Sequence, residues 1–145
     1  MKLFNGKFEM ALRVMLILKE LNEATENDLL AFDLVATYGK SFGIAKDNLH
    51  GDNQFNFSEI AARKKMISAG IAYLRLYELV EEISDSNRGY VYTLTRMGRQ
   101  TIKEVDDDYS RVYQHILRKA VLKMHGIDQS QLFVMVNRYL MKELR

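Results

Sequence analysis

The chain has 145 residues, 48% of them hydrophobic, which is enough for one compact domain with a substantial core. Its formal net charge of +2 is too mild to demand a nucleic-acid partner. It has no cysteine, which excludes disulfides and thiolate metal sites and is compatible with a reducing compartment, and no proline, which fits long helices and simple connections.

Residues 8–21 predict the first helix. Positions 10–18 are apolar except for Arg13, so this helix is expected to be buried on more than one side. The apolar run falls well short of the roughly 20 residues of a membrane span. No small-residue cleavage site follows it, so no signal peptide is expected and the chain reads as cytoplasmic, with no membrane partner. Thr25 is the expected N-cap of a second helix reaching Tyr38, with Asp28 completing a capping-box variant. Between positions 20 and 38 there is no basic residue, while Glu20, Glu23, Glu26, Asp28 and Asp33 supply acid. Residues 39–57 form a long irregular segment with Gly39, Gly43 and Gly51, of a length often tied to function. His50 and Phe55 are expected to anchor it, around a mobile tip at Gly51, Asp52 and Asn53.

Asn56 is the expected N-cap of a third helix that runs to about Glu78, with Glu59 three residues on. Residues 79–83 and 90–94 read as two strands around a polar turn holding Asp85, Asn87 and Gly89. Thr95 then caps a return helix that ends near Val105. Asp106 to Asp108 marks a break before a helix over 109–124. His125 and Gly126 form a C-cap before a last helix over 130–144. The expected fold is mainly α with a small β-hairpin: a winged-helix-like domain over residues 1–105, with two added C-terminal helices over residues 106–145 packed on the same domain. Those two helices read as an added core layer or as an oligomerisation or docking platform.

The third helix would be the recognition helix of a DNA-binding winged helix. It carries Arg63, Lys64, Lys65 and Arg75, and the wing and return helix add Arg88, Arg96, Arg99 and Lys103. Arg63, Lys64, Lys65, Arg88, Arg96 and Arg99 are therefore the candidate phosphate contacts, with double-stranded DNA as the candidate ligand. A solvated surface is the plainer account of these charges. At helical spacing Ile60, Ile67, Ile71 and Leu74 form one apolar stripe facing the core. A second stripe of Ala62, Met66, Ala69, Tyr73 and Leu76 lies nearly opposite, where base reading would need polar side chains. Either the C-terminal helices cover it or another protein does.

Catalytic chemistry is not indicated. His50, His115 and His125 are scattered without carboxylates at ligand spacing, and Gly39-Lys40-Ser41 lacks the upstream glycine of a phosphate loop. Asp106 to Asp108 reads as a solvated helix break. No nucleophile–base pair emerges, so the expectation is a protein that is not an enzyme, with no cofactor and no metal.

The order of motifs resembles a known family. L-F-N-G-K-F-E-M-A-L-R at 3–13 and L-L-A-F-D-L-V at 29–35, with Asp33, are similar to the first two helices of the small middle components of bacterial ABC-three-component systems. Y-G-K-S-F-G followed by N-L-H, ending at His50, resembles their glycine-containing loop. E-I-A-A-R-K-K-M-I-S-A-G-I-A-Y-L at 59–74 resembles their third helix, with an arginine matching Arg63. The likeness covers residues 3–94. It departs at Gly51, where the family often has proline, and at Glu78, where it often has glycine. The resemblance implies an accessory subunit acting beside an SMC-like ABC ATPase and an effector, often a nuclease, in antiviral and anti-plasmid defence related to Lamassu. A free-standing winged-helix transcriptional regulator, dimeric through its C-terminal helices, is the alternative. A small DNA- or RNA-modifying enzyme is a third reading.

Overall fold

The computed structural model describes residues 7–38 and 57–124, together with Val134 and Arg138. The expectations for the 39–56 loop with His50 and Phe55, the Asn56 cap, the Gly126 break and most of the last helix lie outside the described residues. The described chain runs α1 (Lys7–Leu21), β1 (Glu23–Thr25), α2 (Glu26–Thr37), α3 (Phe57–Leu76), β2 (Val80–Asp85), β3 (Gly89–Leu94), α4 (Arg96–Lys103) and α5 (Asp108–Lys123). Five helices surround one antiparallel sheet of order β1-β3-β2, which is the mainly α, winged-helix-like arrangement expected.

α1 is the hub. It packs on α3, α5, α2, α4 and β3, so Met10, Ala11 and every residue from Val14 to Leu18 are buried. That burial explains why its apolar run shows no polar face. α2 is equally enclosed, with all residues from Asp28 to Tyr38 buried. Its start is a complete capping box, in which Thr25 Oγ1 accepts from the Asp28 amide and Asp28 Oδ2 accepts from the Thr25 amide. On α3, Ile67, Ile71 and Leu74 face the core, and Gly70 lets the helix approach the α1 backbone at Ala11.

α3 ends in a Schellman motif: the Leu79 amide donates to Leu74 O and the Glu78 amide to Arg75 O. Glu78 holds the left-handed position of this motif at φ 59, a conformation that favours glycine. The hairpin follows. Asp85 Oδ1 accepts from the Asn87 and Arg88 amides, and Gly89 at φ 83 closes the turn opposite Asp85. Val91, Tyr92 and Leu94 are buried, while Tyr90 faces solvent. β1, not expected from the sequence, pairs with β3 through Glu23 to Thr25 and makes the hairpin a three-stranded sheet.

A single junction fixes α4 to the strands. Thr95 Oγ1 caps α4 by accepting from the Gly98 amide, donates to Glu78 O, and its own amide donates to Leu79 O. Gly98 is pressed so close that a Cβ there would lie 2.1 Å from Leu79 O. Gly98→Ala should therefore push α4 off the sheet and lower unfolding free energy by about 1–3 kcal/mol, as overpacking does. Denaturant unfolding of the purified variant checks this, and wild-type stability would refute the contact.

Candidate functional site

Three charged side chains sit where the sequence pattern is otherwise apolar. Arg13, Asp33 and Arg63 are all at most 1% exposed. Arg13 Nη2 donates to Asp33 Oδ2 at 2.8 Å, and Arg63 Nη1 lies 3.5 Å from the same oxygen. The Tyr113 hydroxyl donates to Asp33 Oδ1 at 2.6 Å. Arg63 Nη1 also donates to Thr37 Oγ1, and its guanidinium stacks over the Tyr38 ring at 5.4 Å. One carboxylate thus ties α1, α3 and α5 to α2. Burial pushes the Asp33 carboxyl up, but Arg13 and Arg63 and the hydrogen bonds from Tyr113 and Arg13 outweigh it, holding the carboxyl below its usual range. Burial and the Asp33 charge raise the Tyr113 hydroxyl well above the ordinary phenol value. Burial likewise lifts neighbouring Tyr109 to about 12. Buried charge of this kind holds helices in register.

Arg63 is therefore not a surface cation: it points inward and does not present itself to a phosphate. It stands on the core stripe, three residues after Ile60 and four before Ile67. That spacing was the available signal, and the residue type obscured it. Arg13, three residues after Met10 and four before Ile17, carries the same signal.

Lys64, Lys65, Arg96 and Arg99 are exposed. Arg99 Nη1 donates to Leu94 O at 2.9 Å. Arg88 is also at the surface but is held by Glu23 and Asp85. Residues 86–103 lack acid in their own sequence, yet β1 brings Glu23 and β2 brings Asp85 beside Arg88. The acids of positions 20–38 are likewise engaged. Asp28 is a cap and Asp33 a core ion pair, while Glu26 accepts from Ser68 Oγ and Glu20 from Arg118 Nε. Glu26 is the one of these outside the core that stands directly against α3.

On the second stripe of α3, Ala62 and Leu76 are exposed and Met66, Ala69 and Tyr73 are partly buried, Met66 and Tyr73 packing against the core. α5 packs on α1 and α2 rather than over this stripe. Phe8 meets Tyr73 edge-on at 5.2 Å, and Tyr77 adds a third ring 4.7 Å from Tyr73. Phe8 is 69%, Leu76 76% and Tyr77 55% exposed, so the surface is both apolar and accessible. Among the described residues no group of three His, Asp or Glu side chains is placed to hold a metal. No helix among them is long and apolar enough to cross a membrane.

Asp33→Asn keeps the shape of the core network and removes its negative charge, leaving two buried guanidinium groups uncompensated. It should cost about 3–5 kcal/mol in denaturant unfolding at neutral pH. Because the folded carboxyl sits below its ordinary 3.8, its stabilisation is complete above that value and is lost as pH falls through the folded value. The acid limb of a stability–pH curve should be flatter in Asp33→Asn, and an unchanged limb would assign acid unfolding elsewhere.

No curated protein and no solved structure matches this chain. A family model does, over residues 3–145: the ABC-three component (ABC-3C) system Middle Component 2. The match contains the whole of the Arg13–Asp33–Arg63 network, α3 with its apolar outer stripe, and the wing. The chain belongs to the Middle Component 2 family of ABC-three-component systems.

Proposed function

We propose that this chain is a non-catalytic adaptor that joins an SMC-like ABC ATPase to an effector protein. The complex acts in the cytoplasm in bacterial defence against phage and plasmids, in systems related to Lamassu. Membership of a three-component family supports a role among partner proteins. The observation that carries the adaptor reading is the outer face of α3. A winged helix that reads base edges presents hydrogen-bonding side chains on its recognition helix. Here the exposed side of α3 divides between Lys64, Lys65, Ser68 and Arg75 and an apolar edge of Ala62, Ala69 and Leu76 flanked by the Phe8, Tyr73 and Tyr77 rings. An exposed apolar and aromatic surface of this kind suits a protein partner.

Direct DNA contact is a second part of the reading, through Lys64, Lys65, Arg96 and Arg99, which are exposed and have no acidic partner among the described residues. Arg88 contributes less, because Glu23 and Asp85 already hold it. The free-standing regulator is the alternative. It needs DNA binding by the isolated chain, and dimerisation through the C-terminal helices, of which α5 is described and the last lies largely outside the described residues.

Leu76→Glu separates these readings. Leu76 is 76% exposed, so the variant should unfold within about 0.5 kcal/mol of the wild type. A charge forced into an apolar contact costs several kcal/mol unless paired. The variant should therefore no longer co-purify with the ABC ATPase encoded beside it. A folded Leu76→Glu that still brings down the ATPase would refute docking through α3. Replacing Lys64, Lys65 and Arg96 together with Glu should abolish DNA binding in low salt if those residues meet phosphates, because each lost contact lowers the salt slope by about 0.9. Unchanged binding would remove them from any DNA contact.

A further inference from the structure

A second concave surface lies at the other end of α1, apart from the α3 stripe. α1, β3 and α4 enclose a cleft of about 330 Å³. Leu18, Leu94 and Ile102 supply its apolar wall, and Lys19, Arg99 and Lys103 its charged rim. No acidic side chain lines it. One tie shapes the wall: Thr93 Oγ1 donates to Asn22 O at 3.0 Å, holding β3 to the end of α1. Arg99 is steadied at the mouth by its bond to Leu94 O.

The charges of this rim differ from those of the arginines tied up at the surface, and share their lack of an acidic partner among the described residues with Lys64, Lys65 and Arg96. Arg75, Arg88, Arg111 and Arg118 all meet carboxylates. Lys19, Arg99 and Lys103 meet none among the described residues, and the neighbouring acid Glu20 is taken by Arg118. Lys19 and Lys103 stand in the last turns of α1 and α4, where a cation complements the helix dipole. Arg99 lies mid-helix and has no such account. Three cations converge on an apolar hollow large enough for one or two aliphatic side chains.

We propose that this cleft docks a short partner segment carrying apolar side chains flanked by carboxylates. Charge complementarity selects the acid and the apolar wall selects the anchor. A nucleic-acid backbone would satisfy the rim but leave the wall unfilled, since phosphates bring no apolar group to it. The site goes beyond the α3 surface and does not depend on it. α3 meets α1 near Phe8 and Ala11, whereas the cleft begins at Leu18. Eleven residues of helix separate Phe8 from Lys19, about 16 Å at 1.5 Å per residue. Both surfaces can be occupied at once, so the fold offers an adaptor two ends.

The test uses the full chain, isotope-labelled for amide NMR and titrated with a short peptide of Leu and Glu. A matched Leu and Gln peptide and a short DNA duplex serve as comparisons. The Leu and Glu peptide should shift the amides of Leu94 and Ile102, and bind about tenfold or more tightly than its Gln counterpart. Lys19→Glu with Lys103→Glu, both at exposed positions, should lower the melting temperature by only a few degrees, the loss of two favourable charge–dipole contacts, and reverse the preference toward a Leu and Lys peptide. Leu76→Glu should leave this binding unchanged, which keeps the result separate from docking through α3. Absence of peptide binding, equal affinity for the Glu and Gln peptides, shifts confined to other residues, or no reversal would each overturn the proposal. Stronger perturbation of the same amides by the duplex would assign the cleft to phosphate and overturn it too.

Discussion

The Asp33 carboxylate is the constraint on which the arrangement of the helices depends. It accepts hydrogen bonds from Arg13 on α1 and Tyr113 on α5 and faces Arg63 on α3. Apolar side chains alone would tolerate some rotation of these helices about their axes, because hydrophobic contact has no direction. A guanidinium group that must reach one buried oxygen does not. Arg63 fixes α3 so that Ile67, Ile71 and Leu74 face inward, and that same rotation turns Ala62 and Leu76 to solvent. The inner charge therefore determines which surface of α3 is offered outside. Replacing such a network with matched apolar residues can leave stability intact, so register is the better account of its value here.

The parts of the fold legible in the sequence were those set by local chemistry. Thr25 with Asp28, Thr95 before Gly98, and Asp85 with Gly89 each specify a cap or a turn through neighbours a few residues away. β1 was not legible. Three residues, Glu23 to Thr25, show no periodicity, and only their pairing with Val91 to Thr93 makes them a strand. The missed strand had an electrostatic consequence: it sets Glu23 beside Arg88, so the stretch 86–103, free of acid along the chain, is partly neutralised in space. Arg63 was misjudged differently. Arginine is rarely buried without a partner, and its partner lies on another helix, so residue type outweighed the stripe position that places it inside. Arg13 and Asp33 are subject to the same argument, since each interrupts an apolar run and finds its partners on other helices.

Glu78 shows how a residue other than glycine can hold a left-handed position. The position is left-handed because the Schellman bonds of Leu79 and Glu78 end α3 there. Glycine would enter that conformation without a Cβ penalty, and glutamate accepts a modest one. The motif survives because the next residues are held independently. Leu79 O accepts from the Thr95 amide, and Glu78 O accepts from the Thr95 hydroxyl. The turn that leads into the wing is thus secured from the α4 side.

The outer surface follows from the same geometry. In a winged helix, α3 and the wing together form the face that can meet a duplex, and sequence-specific reading demands polar atoms on the helix. This chain keeps Lys64, Lys65, Ser68 and Arg75 on the exposed side of α3 but gives the edge beside them to alanines, Leu76 and neighbouring rings. Its two most tightly held arginines serve the core, and Arg88 serves the sheet edge. Charge that a DNA reader would hold available is thereby committed to internal bonds. What remains accessible divides into an apolar face near the start of α1 and a basic, apolar-walled cleft near its end. Two chemically different surfaces at opposite ends of one rigid helix make simultaneous contact with two partners geometrically straightforward, and the proposed adaptor role asks for no more than that.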